Sequence, residues 1–348
     1  MSDDHFYLHR CLQLAALGLG RVQPNPMVGS VLVAGGSIIG EGYHEQYGEA
    51  HAEVNAINEA QRHVDLFTQS TLYVSLEPCS HWGKTAPCVD LIIEKKIPRV
   101  VVGCIDSNPK VSGKGIAMLQ NAGIEVEING VLEAECRALN KRFFTFHEQK
   151  RPYIILKFAQ TNDRFIAQKN YDSKWISNEW SRKIAHKWRT EEQAILVGTA
   201  TAQHDNPSLT AREWQGKNPM RILIDRQLQI NINHNIFDNE AQTLVVTEQE
   251  KSSVLPNVRY LKMDFQSSDF LEILLSHLHS LDIQSLIVEG GSQTIGAFVG
   301  AGLWDEARIF TSTTTHFGQG IAAPKIVGKW VSNEWIDGDL LQIFSPIS

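Results

Sequence analysis

The apolar residues of the first 50 positions follow two different spacings. Residues 1–20 carry apolar side chains at roughly helical intervals and end in glycines, which predicts a helix. These apolar positions are Leu8, Cys11, Leu12, Ala15 and Leu19. Residues 27–44 instead form two short apolar runs on either side of Gly35-Gly36, which predicts a β-hairpin that turns at this glycine pair.

Strands and helices then alternate through the rest of the first half. The predicted elements are a helix over about 51–62, a strand over 71–78, a helix from Pro87 to 96, a strand over 99–106, a helix over 113–123 and a strand over 124–129. The polar and basic stretch from Arg137 to Arg151 stands directly before Pro152. It predicts a terminal helix and a short linker.

The second half of the chain repeats this alternation. Its predicted strands are residues 153–159, 194–199, 221–225, 243–247, 258–263 and 285–291, with helices between several of them, for instance Asp269 to Leu281. Strands that alternate with helices are typical of layered α/β domains. The sequence therefore predicts two α/β domains, residues 1–148 and residues 149–348.

Composition and charge limit the partners of this chain. Its 348 residues carry 32 basic and 39 acidic side chains, a formal net charge of −7, and no basic run, which argues against nucleic acid and anionic membranes. The amino terminus is polar and acidic, and no apolar run approaches the ~20 residues of a membrane span. Five cysteines, an odd number, argue against a disulfide framework. We expect a reduced, cytoplasmic protein.

One histidine and two cysteines have the residue types of a zinc site. His51 begins a predicted helix, and Cys79 and Cys88 follow one strand later, each directly behind a proline. One imidazole and two thiolates leave the fourth tetrahedral position to water, as in catalytic zinc sites, whereas structural sites close with four protein ligands. His81 lies nearby, and we expect it to be a loop residue. The pattern predicts a catalytic zinc site.

The position of Glu53 indicates its role. Residues two apart in mid-helix point in different directions, so His51 and Glu53 can serve one site only at the open end of a helix. Pro87 suits the first turn of another helix, and Cys88 would then lie at an amino terminus that favours a thiolate. Glu53 is expected to carry a proton between water and the leaving group, and not to bind the metal.

This arrangement resembles a known signature. His-Ala-Glu at a helix start, followed by Pro-Cys pairs, resembles the zinc-dependent cytidine-deaminase superfamily, although eight residues here separate the cysteines where the signature has two. The enlarged loop PCSHWGKTAPC, with PNPMVGSV, GYHEQYGEAHAE and GCIDSNPKVSGKG, resembles the pyrimidine deaminases of riboflavin biosynthesis. The second half resembles the reductase that is fused to that deaminase.

The resemblance implies a bifunctional enzyme of riboflavin biosynthesis. A cytidine-deaminase-like three-layer domain would use one zinc ion to deaminate a diamino-hydroxy-pyrimidine that carries a phosphoribosylamino group. A dihydrofolate-reductase-like α/β domain would then use NADPH to reduce the ribosyl group to ribityl. The implied partners are this small phosphorylated pyrimidine and a second copy of the chain, in a homodimer.

The resemblance assigns substrate contacts of the deaminase to Asn25, His44 and Lys84. The amide of Asn25 has both a donor and an acceptor for a pyrimidine edge, and Lys84 can meet an anion. Each also has a plainer interpretation. Asn25 stands between prolines and can simply shape a turn, and Lys84 can be a solvated loop charge.

The second half has no Rossmann cofactor site, because no G-x-G-x-x-G follows a predicted strand. In SLIVEGGSQTIGAF a strand leads through a glycine pair into a helix that begins at Ser292 or Gln293. Glycines let the backbone approach a ligand closely, and a helix amino terminus favours phosphate. On this motif alone, a plain strand-to-helix turn is the slightly better interpretation.

Further segments match the family's reductase. They imply substrate contacts at Lys157, Ser173, Arg189, Leu209, Arg212 and Glu289. They imply cofactor contacts at Gln160, Trp175, Thr201, Asp205, Thr247, Gly290, Gly291, Ser292, Gln293 and Thr294. Arg189 and Arg212 are candidate clamps for the substrate's phosphate, because guanidinium groups match phosphate oxygens. An arginine taken by itself is more often a surface charge.

One residue departs from the family pattern. The family usually has glycine after the aspartate of the first reductase segment, here Asp163, and this chain has Arg164. The arginine could crowd the cofactor, move the turn, or supply positive charge to a phosphate.

Three other hypotheses stay open on the sequence alone. A nucleic-acid base deaminase would share the zinc chemistry but needs a positively charged track for the strand. A binding protein with a structural zinc would need a fourth ligand, His81 or His44, and would leave Glu53 unexplained. A working deaminase could also be fused to a second domain that serves only dimerisation, and Arg164 keeps that hypothesis open.

Overall fold

The computed structural model divides the chain into two compact units, Met1–Lys150 and Arg151–Ser348. It describes residues 3–83, 86–109, 111–173 and 176–347. Each unit has its own β-sheet and its own buried apolar clusters. Across these ranges, no helix combines the length and the apolar character that crossing a bilayer requires.

The first unit is built on one mixed five-stranded sheet. Its helices are α1 (Asp3–Ala16), α2 (Ala52–Glu59), α3 (Cys88–Glu94), α4 (Lys114–Asn121), α5 (Glu133–Leu139) and α6 (Lys141–Gln149), with a 3₁₀ segment at Ala60–Gln69. Its strands are β1 (Gly29–Ala34), β2 (Ser37–Tyr43), β3 (Ser70–Val74), β4 (Arg99–Val102) and β5 (Glu125–Ile128). The order is β2-β1-β3-β4-β5, with β1 antiparallel to both neighbours and the other pairs parallel.

This sheet is covered on both faces, so the first unit has three layers. Val31 and Val101 pack in one apolar cluster with Leu8 of α1. Leu32 packs in a second cluster with Ile57 of α2. Because side chains alternate between the faces of a strand, neighbouring valine and leucine residues of β1 serve the two clusters. The three-layer prediction is confirmed.

The second unit is built on a nine-stranded sheet. Its helices are α7 (Glu179–Glu191), α8 (Thr199–Asp205), α9 (Phe270–Ser280) and α10 (Ser292–Gly300), with a 3₁₀ turn at Asn235–Phe237. Its strands are β6 (Tyr153–Gln160), β7 (Phe165–Ala167), β8 (Ala194–Gly198), β9 (Met220–Ile224), β10 (Thr243–Thr247), β11 (Val258–Lys262), β12 (Ser285–Val288), β13 (Glu306–Ser312), β14 (Ile321–Ala322), β15 (Lys329–Ile336) and β16 (Asp339–Ser345). The order is β11-β10-β9-β8-β12-β6-β13-β16-β15, and β7 pairs separately with β14.

The first seven strands in this order, which begin with β11 and end with β13, are parallel to one another. Strands β16 and β15 follow at the edge of the sheet, and both pair in antiparallel orientation. The central strands are buried on both faces, as parallel strands between helices usually are. Because their apolar runs are continuous, these strands could be predicted from the sequence. The carboxyl ends of these strands form the edge where ligands usually bind in open α/β sheets.

The predicted amino-terminal helix and hairpin are confirmed. Gly35 and Gly36 make the hairpin turn with φ of +57° and +78°, the left-handed region where glycine has no steric penalty. The strands predicted over 71–78 and 99–106 are shorter than expected. They end at Val74 and Val102, because the residues that follow leave the sheet.

The predicted single helix near Arg137 is wrong, because two helices meet at Asn140. The Asn140 side chain is buried, accepts the Met27 amide N–H and donates to the Met27 carbonyl, both at 2.8 Å. The two bonds hold Asn140 against the loop that precedes β1. Neither bond could be foreseen from the local pattern, since their partners are far apart in sequence.

Arg164 adopts a left-handed backbone conformation, with φ of +66°, and its amide N–H donates to the Thr161 carbonyl at 3.0 Å. A glycine at this place avoids the penalty that a Cβ brings in this region. The arginine keeps the turn, and its side chain is exposed.

Replacing Arg164 with glycine should raise the free energy of unfolding of the second unit by about 0.5–1 kcal/mol, because relief of the left-handed strain outweighs the added freedom of the unfolded chain. Urea denaturation would measure this. The Arg164→Ala variant keeps the Cβ and should show no such gain, and a lower stability for Arg164→Gly would contradict the strain argument.

Candidate metal centre and reductase cavity

His51 is the N-cap residue of α2, and Glu53 lies in the first turn of the same helix. His51 has extended backbone angles, φ −77° and ψ 167°, so its side chain leaves the helix at its open end. Helix α2 can lie close to β2 because Gly42 has no side chain, since a Cβ there would be 2.4 Å from the Ala56 nitrogen. The predicted placement of the pair at a helix start is confirmed.

Cys88 is the first residue of α3, directly after the N-cap residue Pro87. The amide N–H of Cys88 donates to Cys79 Sγ at 3.3 Å. His51 Nδ1 lies 3.5 Å from Cys79 Sγ and 3.3 Å from Cys88 Sγ, and the three ligand atoms all lie within 4.8 Å of one another. The structure therefore brings the three predicted metal ligands together.

The spacing of these three atoms fits zinc. Bond lengths of about 2.3 Å to sulfur and 2.0 Å to nitrogen in a tetrahedron place ligand atoms roughly 3.5–3.8 Å apart. Among the described residues, no fourth histidine, cysteine or carboxylate belongs to the group, and His81 is an exposed residue outside it. Three protein ligands are the number that a catalytic zinc site has.

The electrostatics of the centre suit proton transfer near neutral pH. The neighbouring Cys88 thiol and His51 lower the pKa of Cys79 to about 4, although burial opposes them. Burial, together with the negative charge of Cys79, raises the pKa of Glu53 to about 7. A carboxyl group with a pKa in this range can both accept and donate a proton at neutral pH.

Asn25 and His44 lie beside the metal ligands. The rings of His44 and His51 are 5.1 Å apart, and His44 Nδ1 lies 3.0 Å from the Ala50 carbonyl oxygen, which can only accept. Burial lowers the pKa of His44, so the neutral ring carries its proton on Nδ1. His44 Nε2 then accepts a bond from Asn25 Nδ2 at 3.1 Å. The third predicted substrate contact, Lys84, lies outside the described residues.

The sequence did not single out Glu77, which positions the loop of Cys79. Its buried carboxylate accepts the amide N–H groups of Gly113 and Gly115, both at 2.9 Å, and that of Ile116 at 3.3 Å. These groups form the start of α4, where the helix dipole favours a carboxylate. An acidic residue two positions before a predicted ligand was the only signal in the sequence.

A cavity of about 1060 Å³ lies in the second unit, where β6, β8 and β12 end and where α8 and α10 begin. The predicted residues that line it are Lys157, Ser173, Arg189, Thr201, Asp205, Leu209, Arg212, Glu289, Gly290, Gly291, Ser292, Gln293 and Thr294. The predicted helix start at Ser292 is confirmed. Arg164 is not among the lining residues.

Two predicted cofactor contacts do not line this cavity. The hydroxyl group of Thr247 is buried and donates to the Arg226 carbonyl at 2.9 Å, so it closes a turn beside β10. Gln160 donates its amide to Thr311 at 2.9 Å on the neighbouring strand β13. Trp175, also predicted, lies outside the described residues.

Glu289 gathers two basic side chains in the cavity. It accepts bonds from Arg189 Nε at 3.2 Å and Nη2 at 2.9 Å, and Lys157 Nζ lies at 3.4 Å. Burial alone would raise the pKa of Glu289, but the charges of Arg189 and Lys157 lower it to about 2. Because the pKa of Glu289 lies below its ordinary value of 4.5, the ionised cluster stabilises the fold fully above pH 4.5. This stabilisation is lost as the pH falls toward 2.

The two predicted phosphate clamps reach the same cavity from different elements. Arg189 projects from α7 and is held by Glu289, whereas Arg212 follows Leu209 in a loop and its side chain is mostly exposed. The cavity also contains His186, which the sequence did not single out, one helical turn before Arg189.

Comparison with known proteins identifies the family. Residues 152–338 match the RibD C-terminal domain, and residues 1–104 match the cytidine and deoxycytidylate deaminase zinc-binding region. The RibD protein of Aquifex aeolicus is 42% identical over 333 residues, which cover 94% of this chain and 89% of that relative. The chain belongs to the RibD family.

Other RibD proteins match along nearly their whole length. The RibD protein of Escherichia coli is 36% identical over 94% of this chain and 89% of its own. The crystal structure of a deaminase/reductase from Thermotoga maritima, 40% identical, superimposes with a TM-score of 0.89 over 99% of both chains. Acinetobacter baumannii RibD, 31% identical, superimposes with a TM-score of 0.91 over 99% of both chains.

Membership of the RibD family settles several predictions. The chain is a bifunctional enzyme of riboflavin biosynthesis, with a zinc-dependent deaminase domain and an NADPH-dependent reductase domain of dihydrofolate-reductase-like fold. The predicted cofactors, zinc and NADPH, are confirmed at the level of the family. A second domain that serves only dimerisation is not favoured, because that domain is itself a RibD reductase domain.

Proposed function

We propose that this chain first deaminates a diamino-hydroxy-pyrimidine carrying a phosphoribosylamino group and then reduces the ribosyl group of the product to ribityl. The observation that carries the first step is the convergence of His51, Cys79 and Cys88 beside the buried carboxyl group of Glu53. The second step is supported by the cavity at the ends of the parallel strands.

In the first step, His51, Cys79 and Cys88 hold the metal, and Glu53 moves the proton. A zinc ion held by these residues would lower the pKa of a water molecule and so supply the nucleophile for the ring carbon at neutral pH. Glu53 takes the proton of this water and delivers it to the amino group, which leaves as ammonia while a carbonyl group forms. The carboxyl group of Glu53 is buried beside the ligands, which places it within reach of both transfers.

Asn25 and His44 orient the pyrimidine in this scheme. The bond from Asn25 to His44 Nε2 fixes which way the Asn25 amide points, so its carbonyl oxygen faces away from the histidine. An amino group of the pyrimidine would donate a hydrogen bond to that oxygen. Lys84, which lies outside the described residues, is proposed to bind the substrate's anionic part.

In the second step, the residues of the cavity bind and orient two ligands. NADPH bound in the cavity would supply the hydride for the sugar carbon that carries the nitrogen, and the ring oxygen would take up a proton. Gly290, Gly291 and the start of α10 are proposed to receive the cofactor's phosphates, because the helix amino terminus offers N–H groups there. Lys157 and Glu289 would bind the sugar hydroxyls, and the two arginines its phosphate.

A coupled assay on the full chain tests the proposal. Ammonia release and NADPH oxidation are followed on the same diaminopyrimidine substrate, with zinc present. We expect ammonia first and NADPH oxidation afterwards, in equal final amounts. Ammonia without NADPH oxidation would contradict the second step, and oxidation without ammonia would contradict the order.

Replacing Glu289 with glutamine should lower kcat/KM of the reductase about 10- to 100-fold, because a charge-assisted hydrogen bond contributes about 1.5–3 kcal/mol. Ammonia release should stay at the native rate. The matched control is Glu272→Gln, which removes an exposed carboxylate on α9. Native reductase kinetics in Glu289→Gln would exclude Glu289 from the substrate site.

We also propose that the chain forms a homodimer through its second unit. Strand β15 is the edge of the large sheet, and its Trp330 and Trp335 are 55% and 66% exposed. Exposed aromatic residues on an edge strand are typical of interfaces. Light scattering should give twice the mass of the chain, and a monomer would contradict the proposal. The expectation of a reduced, cytoplasmic environment stays a prediction.

A further inference from the structure

His186 is a buried histidine in the reductase cavity without a role in the steps above. It lies on α7 and is only 4% exposed. Its Nδ1 atom is buried and has no hydrogen-bond partner among the residues that the structure describes. Its Nε2 atom lies 3.6 Å from Glu213 Oε1. Buried polar atoms usually have partners, so an unpaired one in a ligand cavity indicates a functional group.

Charged groups from two elements face this imidazole. Arg189 lies on the same helix, and Arg212 and Glu213 lie on the segment after Leu209. Burial and the two arginines lower the pKa of His186 to about 4, and Glu213 and the Thr210 carbonyl oppose them. The imidazole is therefore neutral at physiological pH as long as no anion offsets the two arginines.

We propose that His186 is a positioning residue for the phosphate group of the reductase substrate, and that it takes up a proton when this group binds between Arg189 and Arg212. The inference rests on the proposed function, which assigns the phosphate to these two arginines. A phosphate dianion there would offset the positive charges that keep the ring neutral. The proton comes from solvent and returns to it when the ligand leaves.

Protonation would make both ring nitrogens of His186 hydrogen-bond donors. Two acceptors face the ring: Glu213 Oε1, which lies 3.6 Å from Nε2, and the Thr210 carbonyl, which also accepts from Arg189 Nη1 at 3.0 Å. Both partners lie on the segment that carries Arg212. The protonated ring would therefore tie this segment to α7 and fix the distance between the two arginines while the phosphate is bound.

Sulfate ion is a suitable probe, because this tetrahedral dianion does not itself titrate near neutral pH. Its inhibition constant against the pyrimidine substrate is measured from NADPH oxidation, at saturating NADPH and constant ionic strength. Because binding takes up a proton, affinity should fall as pH rises, with the inhibition constant about threefold or more lower at about pH 5.5 than at about pH 7.5. In His186→Gln it should be the same at both values.

Calorimetry provides a second readout that a merely structural role would not change. Sulfate binding to the native chain, measured in two buffers of different ionisation enthalpy, should show net proton uptake, and binding to His186→Gln should show none. NADPH should stabilise both proteins equally against heat, which shows that the variant is folded. If His186→Gln is not folded, His186→Asn replaces it in the same measurements.

The Arg212→Gln variant distinguishes the two levels of the proposal. If it binds sulfate as tightly as the native chain does, the assignment of the phosphate to Arg212 fails, and with it this part of the proposed function. If it loses sulfate affinity while His186→Gln keeps the native pH dependence and proton uptake, the phosphate site stands and the role of His186 is overturned.

Discussion

Replacing Glu53 with glutamine should lower the rate of ammonia release by about 10³-fold, because the amide can neither accept nor deliver the proton that a general acid–base residue transfers. The variant should still contain one zinc ion per chain, since Glu53 is not one of the three ligands. NADPH-dependent reduction of the deaminated substrate should continue at the native rate. Ammonia release, zinc analysis and NADPH oxidation measure these three quantities separately.

The matched control for Glu53 is Glu45→Gln, which changes an exposed carboxylate in the same unit and should leave all three quantities unchanged. Loss of zinc from Glu53→Gln would show that the carboxylate binds the metal. An ammonia rate close to the native one would show that another group carries the proton.

Replacing Cys79 with serine should abolish both zinc binding and ammonia release, because a serine hydroxyl is a poor ligand for zinc at neutral pH. The pKa of Cys79, about 4, indicates that this sulfur is available as a thiolate, and the serine would lose that charge. Glu53→Gln and Cys79→Ser should therefore both lose ammonia release, but only Cys79→Ser should lose zinc.

Ser80→Ala is the control for Cys79→Ser, because it replaces the adjacent residue and leaves all three metal ligands in place. It should keep zinc and activity. Zinc at the native level in Cys79→Ser would mean that the ion is held by other residues, and the proposed centre would then be wrong. Reduction of the deaminated substrate should be unaffected in either variant.

The sequence predicted the metal centre well because its decisive signals are local. A histidine two residues before a glutamate makes sense only at a helix start, and Cys88 behind Pro87 indicates another one. Both helix starts are where the sequence placed them. That the two helix starts meet together with Cys79 was predicted from the residue types, and the family resemblance supported it, since spacing alone does not determine which loops converge.

Long-range contacts account for what the sequence missed. The pattern predicted no strand after residue 291, yet β13, β15 and β16 complete the large sheet. Strand β15 is almost wholly exposed and lacks an apolar run, and its pairing with β16 is what makes it a strand. Thr247 was assigned to the cofactor by resemblance, whereas its buried hydroxyl group serves the backbone of a turn.

Two of the metal ligands, His51 and Cys88, stand at the starts of helices. Neither His51 nor Pro87 makes a side-chain capping bond to its helix, and the first two amide groups of α3 donate instead to the sulfur and the carbonyl of Cys79. An ion bound to His51 and Cys88 would fasten both starts at once. Metal binding and the local stability of this face are then coupled, and a chain without zinc would be less stable there as well as inactive in deamination.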